Sequence, residues 1–181
     1  FMFESAGSVF LAIRFIPRFG WGRGIYYSVF HSISAFCNAG FDLMGDFSSL
    51  TGYETDPVVN FTIMLLIISG GLGFLVWNEV HSNGFRFGRY SMHSKIVMAT
   101  TGLLILGGTV GFMIFERNGD LAGRPAWVRI MDAMFMSVTT RTAGFNTIDL
   151  SKLSEPGSIL AMILMFIGGS PGSTAGGIKT T

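Results

Sequence analysis

An all-α integral membrane fold, built from repeated helix–re-entrant loop–helix units with a broken last helix, is what this sequence predicts. Three observations carry that expectation. Only 13% of the 181 residues are charged, against about 25% in soluble domains, and the mean hydropathy is +0.52. Three uncharged stretches are long enough to cross a bilayer, and one short motif occurs twice with similar surroundings. The low charge argues against a soluble enzyme, a nucleic-acid binder or a disordered tail. A net charge of +1 points to no acidic partner. The single Cys37 leaves no disulfide framework and no Cys-based metal cluster, and it reads as a small apolar filler.

Taken in order, Phe1 to Ile13 is apolar but short and contains Glu4. It reads as the outer end of a spanning helix. Glu4 is a functional candidate only because of its apolar surroundings. Gly24 to Cys37 and Trp127 to Thr140 are apolar but too short to span. At 1.5 Å per residue such segments reach roughly half a bilayer, so they must enter and leave by one side. Pro57 to Asn78, Ile96 to Phe115 and Pro156 to Ile178 each have the roughly 20 residues that a spanning helix needs. The last changes character after Ile167, where Gly168 to Gly177 holds five glycines and Pro171. Beginning on Phe1 and ending inside a Gly-rich run, the sequence reads as part of a longer polypeptide.

Loop charges orient the chain. Arg86, Arg89 and Lys95 against Glu79 give 79–95 a net of +2, whereas 14–56 nets −1 and 116–155 nets zero. The positive-inside rule therefore places 79–95 in the cytoplasm and both re-entrant segments outside. Arg14, Arg18 and Arg23 pull against this orientation.

The repeat is the strongest organising signal. Asn38-Ala39-Gly40-Phe41-Asp42 aligns with Thr142-Ala143-Gly144-Phe145-Asn146 at an offset of 104; downstream, Pro57, Gly70 and Gly73 align with Pro156, Gly169 and Gly172 at 99. The expected organisation is a first helix–pore loop–helix unit over 1–80, a cytoplasmic linker over 81–94 and a second unit over 95–181. A half-helix followed by a small-residue turn is how pore loops strip water from a cation and replace it with backbone carbonyls. The half-helix aims the negative end of its dipole at the ion. Gly tolerates the positive φ that such a turn requires, and Ala lets neighbouring loops approach. The expected filter is Asn38, Ala39, Gly40 and Phe41 with Thr142, Ala143, Gly144 and Phe145, acting through backbone oxygens. Potassium ligands are expected at the carbonyls of Asn38, Ala39, Gly40, Thr142, Ala143 and Gly144. Phe41 or Phe145 would wedge behind the turn. A lone Ala-Gly-Phe would be read as an ordinary turn; two copies in equivalent surroundings favour the filter.

Gly168, Gly169, Ser170, Gly172, Ser173, Thr174, Gly176 and Gly177 form the second candidate site, an intramembrane gating loop below the filter. A broken helix at membrane depth is tolerated only beside a cavity. Gly172 and Gly177 have Walker spacing, but Ile178 stands where Lys should follow, so nucleotide binding is not expected. Gly70, Gly71 and Gly73 are read as a packing face. His31 is read as a packing or hydrogen-bonding residue. Asp42 would raise cation concentration at the mouth or lie as a solvated loop acid. Arg141 is expected to turn away from the filter and pair with an acid such as Asp132 or Asp149. The long apolar stretches hold no Asp, Glu, Lys or Arg, which argues against a membrane enzyme.

Phe30-His31-Ser32-Ile33-Ser34-Ala35-Phe36-Cys37-Asn38-Ala39-Gly40-Phe41-Asp42 resembles the second pore loop of the Trk/Ktr/HKT superfamily of potassium transporters. Ser137-Val138-Thr139-Thr140-Arg141-Thr142-Ala143-Gly144-Phe145-Asn146-Thr147 resembles the third, and Gly168 to Thr180 resembles the intramembrane loop of its third unit. The likeness is greatest to bacterial Ktr membrane subunits. It implies four helix–pore loop–helix units around one pore, two of them present here, with one critical glycine per loop, Gly40 and Gly144. It implies potassium uptake, often sodium-dependent, across the bacterial inner membrane, with no covalent cofactor. It implies a dimeric multi-pass membrane part embedded in lipid and a cytoplasmic nucleotide-binding regulatory subunit. The competing expectation is a two-pore-loop cation channel subunit that dimerises to complete its pore. Neither loop reads like Thr-Val-Gly-Tyr-Gly, the filter such a channel would normally carry.

Overall fold

The computed structural model describes residues 1–45, 48–84, 86–117, 119, 123–148 and 153–180, and among them it is helical with one isolated bridge. The helices are α1 (Met2–Phe19), α2 (Trp21–Phe36), α3 (Pro57–Leu72), α4 (Phe74–Asn83), α5 (Met92–Phe115), α6 (Ala126–Thr139) and α7 (Glu155–Phe166).

Local chemistry sets the helix starts. Asp56 caps α3 by accepting from Val58 and Val59 N–H groups, with Pro57 at the first position. Ser91 caps α5 and Ser154 caps α7 in the same way. The α1–α2 corner turns at Gly20, φ 79°. There the chain doubles back so closely that a Cβ on Gly24 would lie 2.6 Å from Ile16 Cα. Helix α1 continues beyond the expected Ile13 through Arg14 and Arg18 to Phe19. Both arginines find partners on the loop ahead of α3: Arg14 pairs with Asp56 at 3.0 Å, and Arg18 lies 4.8 Å over the Tyr53 ring. These partners account for two of the three cations that oppose the charge rule.

The two short apolar segments are the short helices α2 and α6. At 14 residues, α6 is about 21 Å long, and nine of its side chains are buried. One core joins Leu11 and Phe15 of α1, Val59, Ile63 and Met64 of α3, and Phe135, Val138 and Phe145 of the second half. A second joins Phe112, Met136, Ala161 and Leu164 across α5, α6 and α7. Leu103, Leu106, Val110 and Ile114 face outward along one stripe of α5, as lipid contact requires.

The expectation that Pro57 to Asn78 is one continuous span needs correction. Among the described residues α5 alone is long and apolar enough to cross a membrane as a single helix. The stretch from Pro57 to Asn78 breaks at Gly73, where α4 departs from α3 at 95°. Gly73 has φ 84°, outside the helical region, and packs on the loop after α7. The third stretch ends its helix at Phe166 and becomes irregular from Gly168 onward, as its composition suggests.

A buried acid outside every expected site holds the α5–α7 corner. Glu116 is 1% exposed and accepts from Ser154 N–H at 3.0 Å and from Ser154 Oγ at 2.6 Å. Its charge thereby sits at the N-terminus of α7, the favourable end of that helix. Asp132, 0% exposed, pairs with Arg124 at 3.0 Å, and the same guanidinium reaches Glu54 at 3.0 Å. This ion-paired group ties the loop before α3 to α6.

Candidate functional site

Helices α2 and α6 end at equivalent turns. Asn38 and Gly40 have φ of 50° and 70°; Thr142 and Gly144 have 73° and 87°. Left-handed and ordinary residues thus alternate in both segments. An extended strand points successive carbonyls to opposite sides; this alternation is different, and for Asn38 and Thr142 it is strained. The carbonyls of Asn38, Ala39, Gly40, Thr142, Ala143 and Gly144 accept no hydrogen bond among the described residues.

The flanking carbonyls are already taken. Ser34 Oγ donates to the Phe41 carbonyl at 2.7 Å, and Thr139 Oγ1 donates to the Phe145 carbonyl at 2.5 Å. Each short helix so holds the far end of its own turn with a hydroxyl from its last turn. The two phenylalanines part company in their side chains: Phe145 is fully buried, whereas Phe41 is 69% exposed. His31 braces the first turn from behind. Its Nδ1 lies 2.7 Å from the Tyr27 carbonyl, and its Nε2 accepts from Leu43 N–H at 3.4 Å; Phe15 and Phe145 pack on the ring. Asp42 Oδ1 accepts from Met44 N–H at 3.0 Å, a local turn contact. Asn146 is clamped by Ser49 and Leu50 of the first half. Glu4 lies near the first turn's helix through its backbone, accepting from Ser32 Oγ at 2.7 Å.

Residues that align in the repeat touch in space. A Cβ on Gly40 would lie 2.3 Å from the Ala143 carbonyl oxygen and 3.0 Å from Gly144 Cα. Gly73 and Gly172, also aligned, meet where Phe74 N–H donates to the Gly172 carbonyl at 3.1 Å.

The segment 168–177 is docked against both turns. Its base is closed by the Ile167–Ile178 bridge. Ser170 N–H donates to Gly71 O at 3.2 Å, Ser170 Oγ to Leu72 O at 2.5 Å, and Thr174 N–H to Gly70 O at 3.3 Å. Gly70 and Gly73 are packed closely, as expected, Gly70 against the Phe36 carbonyl and Gly73 against this loop, whereas Gly71 lends only its carbonyl and has open space at its Cβ position. Ser173 Oγ closes a local turn on the Ser170 carbonyl at 2.6 Å. Gly168 allows the two sides of the loop to touch, since a Cβ there would lie 1.8 Å from the Gly176 carbonyl. Gly169 and Gly177 are also crowded, with nearest atoms at 2.6 and 2.8 Å from a Cβ.

Four hydrogen bonds join the loop to the turns and the helix ends before them. Asn38 Nδ2 donates to Thr174 Oγ1 at 3.1 Å, and Thr174 Oγ1 donates to the Phe36 carbonyl at 2.9 Å. Gly176 N–H donates to Thr142 Oγ1 at 3.1 Å. Arg141 Nη2 reaches the Gly168 carbonyl at 3.4 Å. The side chains of Asn38 and Thr142 thus have work of their own, which an expectation built on backbone oxygens overlooked. The hydroxyls of Ser34 and Thr139 were equally overlooked; they stand seven and six residues before the matched phenylalanines, so strict repeat alignment separates them.

Two expectations are corrected. Arg141 does not pair with Asp132, which Arg124 holds; it turns toward the end of α7, where unpaired carbonyls carry partial negative charge. Asp149 lies outside the described residues. Cys37 is exposed at the end of α2, not a buried filler.

A family model described as cation transport protein, TrkH, matches residues 1–181. The chain is 48% identical over 176 residues to the potassium/sodium uptake protein NtpJ of Enterococcus hirae, covering 97% of this chain and 38% of that one. It is 43% identical over 186 residues to the Ktr system potassium uptake protein B of Vibrio alginolyticus, covering 98% and 39%. The crystal structure of the potassium transporter TrkH from Vibrio parahaemolyticus has the same fold, with a TM-score of 0.73 at 21% identity over 97% of this chain and 36% of that one. The chain spans about two fifths of the length of the curated relatives it matches.

Proposed function

Since the chain belongs to the TrkH family of cation transport proteins, we propose that residues 38–41 and 142–145 are two adjacent sectors of a potassium-selective filter in a multi-pass plasma-membrane protein. The observation that carries this reading is the set of six carbonyls, at Asn38, Ala39, Gly40, Thr142, Ala143 and Gly144, that find no hydrogen-bond donor among the described residues, on two touching turns. Unpaired carbonyls inside a membrane protein are costly unless something compensates them, and a dehydrated cation does so. The Phe41 and Phe145 carbonyls, held by hydroxyls, shape the filter without being ligands. Negative C-terminal dipoles of α2 and α6 add a field of the right sign.

The units run 1–80 and 95–181 around the linker 81–94, and two further pore-loop units of the whole protein complete the ring. The segment 168–177 is the gate, placed against the filter by Thr174, Thr142 and Arg141. The names of the relatives support potassium uptake, with sodium as a second transported or activating ion. Relatives named as parts of a Ktr system support work with other subunits, here a homodimeric membrane part and a cytoplasmic nucleotide-binding regulator.

The test is cation flux by the full-length protein in vesicles. Gly144→Ser should lower potassium-over-sodium selectivity, because Cβ disfavours φ 87°. Unchanged selectivity in a folded variant would overturn the filter assignment. Deleting part of 168–177 should raise flux; loss of flux with normal folding would make the loop a packing element instead.

A further inference from the structure

We propose that the surface formed by α4 and residues 86–95 binds anionic phospholipid headgroups at the cytoplasmic edge of the membrane. Helix α4 leaves the line of α3 at 95° and exposes Phe74 and Leu75 while burying Val76. Residues 86–95 add exposed Phe87 and Met92, with exposed Arg86, Arg89 and Lys95 among them. The two segments are tied together, because Glu79 of α4 accepts from Ser91 N–H at 2.9 Å.

That bond removes the local acid from competition. The Glu79 carboxylate faces the N-terminus of α5, where helix dipole and N–H groups already compensate it. Among the described residues no carboxylate lies within the 4.0 Å ion-pair distance of Arg86, Arg89 or Lys95; the Lys95 ammonium reaches only the Gly88 carbonyl, at 3.4 Å. The loop is nevertheless held in shape. Tyr90 is buried, its hydroxyl donates to the Gly84 carbonyl, and its ring centroid lies 5.4 Å from that of Phe87.

Depth decides the partner. Arg89 and Lys95 fall within one helical turn of Met92, where the spanning helix α5 begins, so these cations stand at headgroup level. A basic residue near an anionic leaflet gains about 1 kcal/mol, and aromatic side chains insert beneath the headgroups. A phospholipid answers both features, its phosphate meeting the cations and its acyl chains meeting Phe74, Leu75 and Phe87. An acidic protein surface answers only the first. The inference holds whichever cation the protein moves.

Native mass spectrometry of the full-length protein from detergent tests it, with phosphatidylglycerol, phosphatidylcholine or inorganic phosphate added. Phosphatidylglycerol should be retained by the wild type, and its retention should fall at least about twofold in the Arg86→Gln/Arg89→Gln variant. The charge-keeping Arg86→Lys/Arg89→Lys variant should retain it, and so should Arg23→Gln, which removes an exposed cation elsewhere. Equal retention by wild type and the Gln variant would overturn the proposal, as would equal retention of phosphatidylcholine or displacement by inorganic phosphate. Loss of a co-purifying acidic protein from the Gln variant, with lipid retention unchanged, would assign the surface to that protein instead.

Discussion

Asn38 and Thr174 meet side chain to side chain, 136 positions apart, with Asn38 Nδ2 donating to Thr174 Oγ1 at 3.1 Å. Thr174 passes the link on by donating to the Phe36 carbonyl at 2.9 Å. One hydroxyl therefore joins the loop after α7 to the end of α2 and to the first residue of the first turn. The matching link on the second turn is Thr142 Oγ1 with Gly176 N–H. Moving the loop breaks bonds to both turns, so loop position and turn geometry are coupled.

Thr174→Val should break that coupling. It removes a donor and an acceptor at nearly constant shape, for about 1 kcal/mol per lost bond. Potassium uptake by the full-length protein should rise if the loop is the gate, and Thr174→Ser should behave as wild type. Equal uptake by Thr174→Val and wild type, in variants of matched thermal stability, would separate the latch from gating.

Gly40 and Gly144, the glycines of the two turns, should respond unequally to the same change. Alanine at Gly40 meets both a φ of 70° and a Cβ 2.3 Å from the Ala143 carbonyl. At Gly144 the nearest atom would be 3.5 Å away, so only φ of 87° opposes it. Gly144→Ala should cost about 1 kcal/mol of strain, and Gly40→Ala clearly more. Thermal unfolding of purified full-length protein, with selectivity measured in parallel, checks the order.

Adjacent glycines on α3 should give opposite results. A Cβ on Gly70 would lie 1.9 Å from the Phe36 carbonyl, whereas on Gly71 the nearest atom is 3.9 Å away. Gly70→Ala should destabilise by about 1–3 kcal/mol or more through overpacking. Gly71→Ala should be neutral or stabilise by up to about 1 kcal/mol, since alanine is the better helix former. The same unfolding assay reads both.

Among the described residues Arg124 pairs with Asp132 and Glu54, acids of unequal burial, which predicts unequal costs. Asp132 is fully buried and Glu54 has a side chain 39% exposed. Arg124→Gln should destabilise by about 3–5 kcal/mol, because it removes the cation paired with a fully buried carboxylate. Glu54→Gln should cost less than about 1 kcal/mol. A similar loss for both would show that the surface arm of the network matters as much as the buried one.

Much of the helical plan was legible because it follows from local rules. Apolar run lengths marked α2 and α6 as short, and five glycines marked the end of α7. Gly40 and Gly144 were singled out because paired motifs in equivalent surroundings are informative where one copy is not. The break at Gly73 was not legible. A glycine in an apolar run costs a helix only about 1 kcal/mol, and Gly70 and Gly71 beside it stay helical; at Gly73 the Ser170–Gly172 segment lies against the chain. The Asp132 alternative for Arg141 fails for a related reason: sequence offers nearby acids as partners, but not the information that Arg124 already pairs with this one.

Composition, run length and repeat spacing are properties of the chain alone, and they determined a membrane protein with two short helices, two glycine turns and a broken last helix. Tertiary structure alone decided that aligned glycines from the two halves touch, that hydroxyls of Ser34 and Thr139 occupy the phenylalanine carbonyls, and that Thr174 and Thr142 fasten the loop to both turns. Those contacts join residues up to 138 positions apart. Their partners are mostly backbone carbonyls and N–H groups, which every residue carries. Side-chain pattern therefore holds no record of which will pair, and only the packing of the helices selects them.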